Sequence, residues 1–200
     1  MVRNCEVLQE QLQPANSKGV ILFLDFDGVL HPDAVYLRLN GQIELRAEGE
    51  LFMWADRLSA ALVPCPDVRI VLSTSWVRHL GFHRARKALT AGLAARIIGA
   101  TWHSAMGKGW PDYIPWDDQT RFEQIAAYLS RLPAPVPWLA IDDDDRGWPE
   151  SQRSNLVHTD ATRGLFAEDA QAEPISRLQR LNSAPPIVNS RKLTQAARQV

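Results

Sequence analysis

The chain has 200 residues, with 22 basic and 23 acidic side chains and a formal net charge of −1 at pH 7. This length suits one domain with a substantial core, and the balanced charge gives no overall field favouring nucleic acid or a membrane surface. No segment approaches the roughly 18 uninterrupted apolar residues of a membrane helix. Residues 1–18 lack the apolar core of a signal peptide, and Cys5 and Cys65 predict no disulfide scaffold. We therefore expect a reduced, cytoplasmic protein.

The first predicted strand covers about residues 20–25, after a polar lead-in at 1–18. Five apolar residues in a row precede Asp25 and Asp27, and Gly28 follows. A continuous apolar run of this length suits a strand covered on both faces, as in a parallel sheet. The two carboxylates would then lie at the carboxyl edge of the sheet, where open α/β folds bind ligands.

A small β-flap is predicted at residues 31–50. Two segments of alternating polarity flank Asn40 and Gly41, which form the strongest hairpin signal in the chain. Apolar residues then recur at helical spacing over residues 51–62, and Pro64 ends this predicted helix.

A second apolar strand is predicted at residues 68–73, and it runs into Thr74, whose hydroxyl is placed to cap the next helix. Helical sequence continues to about Ala95, with an interruption near Gly81. Residues 97–98 predict a short third strand.

The long loop at residues 101–119 is rich in Trp, Gly and Pro, and loops of this length are often functional or mobile. Its tryptophans could stack on a base, which is worth roughly 1–3 kcal/mol for each ring. Loop tryptophans more often pin a loop to its domain. The three are Trp102, Trp110 and Trp116.

Thr120 and Glu123 match a capping box, which predicts a helix from there to about Leu132. Residues 137–141 predict a fourth apolar strand, and four consecutive aspartates, 142–145, follow it.

A fifth strand is predicted at residues 156–159 and a last helix at about 167–181. The polar, basic residues 183–200 are expected to form a mostly disordered tail. Because strands alternate with helices, residues 19–182 predict an α/β domain with a mainly parallel sheet.

Three predicted strands end in chemically active side chains: the Asp25–Asp27 pair, the hydroxyls of residues 73–75, and the Asp142–Asp143 pair. In a parallel sheet these ends share one edge, so the acids repel each other unless a cation lies among them. Oxygen ligands without histidine or thiolate favour Mg²⁺, which pairs naturally with a phosphate. One carboxylate could attack phosphorus to form an aspartyl-phosphate, and a second could exchange protons with the leaving group and with water.

The segment 25–30, Asp-Phe-Asp-Gly-Val-Leu, resembles the first motif of the haloacid dehalogenase-like (HAD) superfamily of phosphohydrolases. This resemblance covers residues 21–143 and implies a Rossmann-like three-layer sandwich with a minimal cap. It implies that Asp25 is the nucleophile and a Mg²⁺ ligand. Asp27 would be the general acid/base, and its backbone carbonyl would bind the metal.

The other motifs of the superfamily imply further site residues. Thr74 matches the second motif and would bind the phosphoryl group, with Ser73 as the alternative. Asp142 and Asp143 resemble the paired acids of the fourth motif and would bind Mg²⁺.

The lysine of the third motif has no clear match, which leaves two candidates for phosphate binding. Arg121 lies at the first turn of the helix before the fourth strand, which is the expected place, and Lys108 lies in the preceding loop. Arginine binds phosphate bidentately where lysine acts as a point charge, so either side chain could serve, with altered geometry.

The combination Asp-Gly-Val-Leu-His, Ser-Thr-Ser-Trp and a bare Asp-Asp resembles the small subgroup related to RNA-repair "Swiss Army knife" phosphatase domains. The histidines themselves show no metal-ligand spacing, so structural or surface roles are expected for them. They are His31, His79, His83, His103 and His158.

The sequence thus predicts a Mg²⁺-dependent phosphatase of the HAD type. The alternative is a non-catalytic phosphate-binding or protein-interaction domain, but such a domain has no physical need for both Asp25 and Asp27. The flap leaves the site open, so the phosphorylated substrate could be a small molecule, a nucleic-acid end or a phosphoprotein. A further hypothesis is that the basic tail contacts the phosphates of the substrate.

Overall fold

The computed structural model describes residues 19–108, 113–166, 176–178 and 180–181. The predicted lead-in at 1–18, the predicted tail at 183–200 and most of the predicted last helix lie outside the described residues. Within the described part of the chain, no helix is long and apolar enough to cross a membrane.

In the described part of the chain, seven strands form two sheets. In chain order they are β1 (Ile21–Leu24), β2 (Val35–Leu37), β3 (Ile43–Leu45), β4 (Arg69–Leu72), β5 (Ile97–Ala100), β6 (Trp138–Asp142) and β7 (Leu156–His158). The larger sheet has the order β5-β4-β1-β6-β7, and every pairing in it is parallel. The predicted α/β class and parallel sheet are therefore confirmed.

The central strand β1 is buried on both faces, as its continuous apolar sequence predicts. Side chains alternate along a strand, so Leu22 and Leu24 enter one hydrophobic core while Ile21 and Phe23 enter a second on the opposite face. The register pairs Leu24 with the ends of both neighbouring strands. The residues that follow β1, β4 and β6 are thereby brought to one edge of the sheet.

Five α-helices whose bounds fall within the described residues flank this sheet. They are α1 (Ala55–Ala61), α2 (Ser75–Leu80), α3 (Phe82–Lys87), α4 (Ala91–Arg96) and α5 (Arg121–Ser130). Residues of α1 to α4 enter the core that contains Leu22, whereas Ile125 of α5 enters the core that contains Phe23. The domain therefore has three layers, which is the Rossmann-like arrangement that the resemblance implies.

The helix predicted over residues 51–62 begins later, at Ala55. Phe52 has a φ of 62°, in the left-handed region that an α-helix cannot include. Its backbone N–H donates to Nδ1 of His31 at 3.3 Å, so a tertiary contact overrides the apolar periodicity.

The helical stretch predicted to reach Ala95 is divided into α2, α3 and α4. Gly81, with a φ of 86°, separates the first two, at the predicted interruption. The Thr74 hydroxyl caps α2 by accepting from the N–H of Trp76 at 3.3 Å, which confirms the predicted cap. The capping box of Thr120 and Glu123 is also present, at the start of α5.

The predicted flap is the antiparallel hairpin of β2 and β3. Gly41 has a φ of 78° at the turn, and Arg38 forms an ion pair with Glu44 across the hairpin. The guanidinium of Arg84 in α3 donates to the carbonyl of Gly41 at 3.0 Å. The tip of the flap is therefore attached to the helical layer.

The described part of the 101–119 loop contains two short 3₁₀ turns, Ser104–Gly107 and Pro115–Asp118. Trp102 and Trp116 are buried, and their ring centroids lie 5.3 Å apart. These two rings pin the loop to the domain, while Trp110 lies outside the described residues.

Gly164 provides a test of how tightly the first loop is packed. Its φ is 42°, and an added Cβ would lie 2.3 Å from Cζ3 of Trp54 and 2.6 Å from the backbone oxygen of Val29. We expect Gly164→Ala to lower the free energy of unfolding by about 2–4 kcal/mol.

The matched control is Gly92→Ala in α4, where an added Cβ meets nothing within 4 Å. It should raise the free energy of unfolding by up to about 1 kcal/mol, because alanine favours helix. Urea denaturation measures both values. An unchanged midpoint for Gly164→Ala would contradict the packing described.

Candidate active site

Three strand ends place the candidate site residues side by side. Asp25 follows β1, Ser73 and Thr74 follow β4, and Asp142 is the last residue of β6. The backbone N–H of Asp25 donates to Ile141, and that of Ser73 donates to Leu24, so the three chain segments stay hydrogen-bonded up to the site. The predicted convergence of these residues is observed.

Asp25 lies almost completely buried, with 3% of its surface exposed. Its own neighbour Phe26 donates its N–H to Oδ1 at 2.7 Å, and Nη2 of Arg121 donates to Oδ2 at 2.8 Å. Burial raises the pKa of Asp25 to about 6, while Arg121 and a hydrogen bond from Thr74 act in the opposite direction. The carboxylate is thus desolvated but fixed in place by two donors.

Arg121 is the first residue of α5, and its guanidinium extends between two buried acids. Besides Asp25, its Nε lies 3.0 Å from Oδ2 of Asp142, and its Nη1 donates to Gln124 at 3.0 Å. The pKa of Arg121 is raised, because its attraction to the two aspartates outweighs the cost of burial. The guanidinium of Arg121 therefore supplies the positive charge that balances the two buried aspartates, and we call it the counter-charge of the site.

Lys108, the other candidate for the third-motif role, has a different environment. It follows the turn Ser104–Gly107 and is exposed. Among the described residues, its side chain forms none of the hydrogen bonds or ion pairs seen at the aspartates. The structure brings Arg121 to Asp25 and does not bring Lys108 there.

Three carboxylates are grouped closely enough to share a metal ion. Asp25, Asp142 and Asp143 each offer one oxygen, and these oxygens lie within 4.8 Å of one another. Asp142 Oδ2 is buried without a hydrogen bond, because the nearby Nε–H of Arg121 is close but does not point at it. A buried acceptor left in this state, among hard oxygen ligands, fits a divalent cation such as Mg²⁺.

Burial also affects the other two acids of the group. The pKa of Asp143 is raised to about 7 by burial and by the charges of Asp25 and Asp33. The pKa of Asp142 is raised well above its usual range, chiefly by burial and by Asp25. The carboxylates therefore repel one another when no cation other than Arg121 is present.

Gly28 allows Asp143 to approach the first loop. Its φ is 65°, and an added Cβ would lie 2.3 Å from Cγ of Asp143. Its carbonyl accepts from the Thr159 hydroxyl at 2.8 Å, and the N–H of Thr159 donates to the backbone carbonyl of Asp142 at 3.0 Å. The end of β7 therefore holds the loop after β1 and the end of β6 together.

Asp27 points away from the carboxylate group, into a separate network of donors. Nε1 of Trp76 lies 3.1 Å from both of its oxygens, Nε2 of His31 lies 3.0 Å from Oδ1, and the Ser75 hydroxyl lies 3.5 Å from Oδ2. Because Nδ1 of His31 accepts from Phe52, its Nε2 carries the proton donated to Asp27. Metal binding by the Asp27 carbonyl stays a prediction.

The contacts of His31 and Trp76 with Asp27 were not predicted from the sequence. His31 is completely buried, so of the predicted structural or surface roles it has the structural one, in which it positions Asp27. The available signals were the four-residue spacing from Asp27 to His31 and the position of Trp76 directly after the Ser-Thr-Ser segment. Neither signal specifies that the two side chains meet at one carboxylate.

The parallel sheet with acids at its carboxyl edge defines an α/β domain of the HAD type. A family model described as the HAD domain in Swiss Army Knife RNA repair proteins matches residues 21–170. The chain therefore belongs to this HAD domain family, and the predicted subgroup is confirmed.

No curated protein matches the chain. One similar solved structure is that of a Vibrio cholerae protein assigned provisionally as a 3-deoxy-D-manno-octulosonate 8-phosphate phosphatase. It is 16% identical, with a TM-score of 0.38, and the match covers 85% of this chain and 89% of that one.

Removal of the counter-charge should destabilise the metal-free protein. Arg121→Met leaves Asp25 and Asp142 without their buried cation, so we expect the free energy of unfolding at pH 8 to fall by about 3–5 kcal/mol. Excess Mg²⁺ should restore part of the loss. Urea denaturation with and without chelator measures both effects.

The matched control is Arg153→Met, which removes an ion pair with Asp145 whose side chains are 43% and 38% exposed. It should change stability little, because exposed ion pairs contribute little. If Arg121→Met were as mild as this control, the buried guanidinium would not be needed for charge compensation.

Stabilisation by Mg²⁺ should grow with pH. The raised pKa values of about 6 for Asp25 and about 7 for Asp143 mean that the metal-free folded state holds extra protons. These extra protons stabilise the folded state fully below the ordinary pKa of 3.8, and this stabilisation is lost as the pH rises through 6 to 7. Mg²⁺ binds the ionised carboxylates and opposes that loss.

We therefore expect the rise in Tm caused by Mg²⁺ to be larger at pH 8 than at pH 5.5, and to disappear in Asp142→Asn. Thermal melts with Mg²⁺ and with chelator provide the comparison. An equal rise at both pH values would place Mg²⁺ binding elsewhere.

Proposed function

We propose that this protein is a Mg²⁺-dependent phosphohydrolase that acts through an aspartyl-phosphate on Asp25. The observation that supports this most directly is the arrangement of two aspartates, two residues apart, in different environments. Asp25 lies in the buried carboxylate group beside Arg121, whereas Asp27 is held by His31 and Trp76 outside it. This difference supports a nucleophilic role for Asp25 and a proton-transfer role for Asp27.

The residues that would hold Mg²⁺ are the side chains of Asp25, Asp142 and Asp143, with the backbone carbonyl of Asp27. When bound, the ion would neutralise charge among these acids and on the phosphoryl oxygens. The family resemblance and the grouped carboxylates both support this cofactor.

Binding of the phosphoryl group would use donors that already face Asp25. Arg121 donates to the Asp25 carboxylate, and the Thr74 hydroxyl also forms a hydrogen bond with it. Both groups would therefore be within reach of the phosphoryl oxygens during attack by Asp25. A guanidinium can donate two parallel hydrogen bonds to phosphate. Arg121 would thus orient the group that the lysine of the third motif normally contacts.

The first step would form a bond from an Asp25 oxygen to phosphorus while the ester P–O bond breaks. The proton of Asp27 would pass to the departing ester oxygen, which leaves as the free alcohol. In the second step water would attack phosphorus, its proton would pass to Asp27, and the Asp25–phosphorus bond would break. His31 and Trp76 would keep Asp27 oriented during both transfers.

These residues concern the phosphoryl group of the substrate and do not select the rest of the molecule. The flap is small, so a small molecule, a nucleic-acid end and a phosphoprotein all remain candidates. The family description names RNA repair, which makes a phosphorylated RNA end one specific candidate.

The direct test is phosphate release from an aryl phosphate by variants of the two aspartates. Asp25→Asn should reduce release to background, because the amide is a far poorer nucleophile. Asp27→Asn should lower kcat by about 10²–10⁴-fold, the usual value of general acid/base catalysis. Chelator should abolish the wild-type activity.

The control is Asp56→Asn, an exposed acid in the first turn of α1, which should match the wild type. If Asp25→Asn retained wild-type activity, the nucleophile would be wrong. If wild type bound Mg²⁺ and phosphate without releasing product, the non-catalytic phosphate-binding alternative would replace the enzyme.

A further inference from the structure

A cleft of about 440 Å³ separates the flap from α2, and Asp27 lies in its lining. We call it the flap cleft. The flap contributes Val35, Leu37 and Ile43, and α2 contributes Trp76 and Leu80. A space of this size is typical of small-molecule sites.

The walls of the flap cleft are fixed before any ligand binds. Trp76 is buried, and its ring contacts Phe26 at 5.6 Å and Phe52 at 5.1 Å between centroids. Its indole N–H is already used on Asp27, so the cleft-facing part of the ring is held in one orientation. On the other side, the hydrogen bond from Arg84 to Gly41 secures the flap.

The charge of the flap cleft restricts what can enter it. Among the residues that line it, Asp27 is the one acid, and none is lysine or arginine. The flap arginines Arg38 and Arg46 both pair with Glu44, and the Arg46 guanidinium also lies 4.3 Å from the ring centroid of Tyr36, which lines the cleft. An anionic group entering the cleft would lose its hydration without meeting a lysine or arginine among the lining residues.

The position of the cleft identifies the part of the substrate that it would receive. On the proposed mechanism, Asp27 delivers its proton to the ester oxygen of the leaving alcohol. Because Asp27 also lines the flap cleft, the body of that alcohol extends from this oxygen into the cleft. The Ser75 hydroxyl and the His79 side chain, which also line it, offer polar contacts to ring substituents.

We propose that the flap cleft binds the leaving alcohol of the substrate and selects one with an uncharged, apolar body, such as an aromatic ring. This inference rests on the proposed function, because it needs the phosphoryl group to lie at Asp25. It narrows the substrate class to monophosphate esters of alcohols with such a body. A polyanionic nucleic-acid end would bring a further phosphate to a lining without lysine or arginine, and the cleft disfavours it.

The test measures binding without turnover, by isothermal titration calorimetry in Mg²⁺ with three non-hydrolysable probes. These are methylphosphonate, benzylphosphonate and 4-carboxybenzylphosphonate. Benzylphosphonate should bind about tenfold or more tightly than methylphosphonate, because the ring buries apolar surface in the cleft. The carboxylated probe should lose most of this gain.

A matched pair of flap variants shows whether the cleft causes this selectivity. Leu37 lines the cleft and is 50% exposed, whereas Leu39 is fully exposed on the same flap and is not among the lining residues. Leu37→Lys should shift the preference toward the carboxylated probe by about fivefold or more, by adding the missing cation. Leu39→Lys should leave the ratio unchanged.

Several results would overturn the proposal: equal affinities for the methyl and benzyl probes, no binding of either, or the same shift in both lysine variants. An oligonucleotide with a terminal phosphate that binds more tightly than benzylphosphonate, with no response to Leu37→Lys, would overturn it in favour of a nucleic-acid end.

The tests of the proposed phosphatase function and of the flap cleft have distinguishable outcomes. Asp25-dependent phosphate release without ring-selective binding would keep the phosphatase and remove the cleft assignment. Ring-selective binding that responds to Leu37→Lys, without phosphate release, would keep the cleft assignment and remove the enzyme.

Discussion

The repulsion among three carboxylates at one edge of the sheet is the constraint on which the rest of the structure depends. Asp25, Asp142 and Asp143 are brought together because the parallel register leaves the ends of β1 and β6 adjacent. Burial makes each charge costly, and their proximity makes the cost larger. The guanidinium of Arg121 offsets part of it from within the chain, and a divalent cation would offset the remainder.

The loops around this edge are shaped to keep the acids in place and to divide them into two environments. Gly28 leaves room for Asp143, and Thr159 holds two of the strand ends by hydrogen bonds. On the other side of the first loop, His31 and Trp76 turn Asp27 out of the group. Two aspartates separated by one residue thereby have different surroundings in the same loop. The proposed two-step phosphoryl transfer requires such a difference, because one acid attacks phosphorus and the other transfers a proton.

Local signals in the sequence predicted most of the sheet, because each strand has its own apolar run and each ends at a recognisable turn. The capping box at Thr120 and the hairpin at Gly41 were equally local and were confirmed. Contacts between distant segments could not be predicted in this way. The left-handed Phe52, which delays α1, depends on a histidine 21 residues earlier. The choice between Arg121 and Lys108 likewise depends on which side chain reaches Asp25 in three dimensions, and the spacing of residues along the chain does not encode that.

The capping box at the start of α5 has a consequence for dynamics as well as for folding. Arg121 is the first residue after the cap, and Thr120 is held by Glu123 and packed against Gly147, where an added Cβ would lie 2.7 Å from its methyl group. Helix ends are the places where local unfolding begins. Fraying of this one turn would withdraw the guanidinium from the aspartates while the sheet stays intact. The electrostatic balance of the site is therefore linked to the opening equilibrium of a single helical turn, and the protection of its amide hydrogens from exchange would report on it.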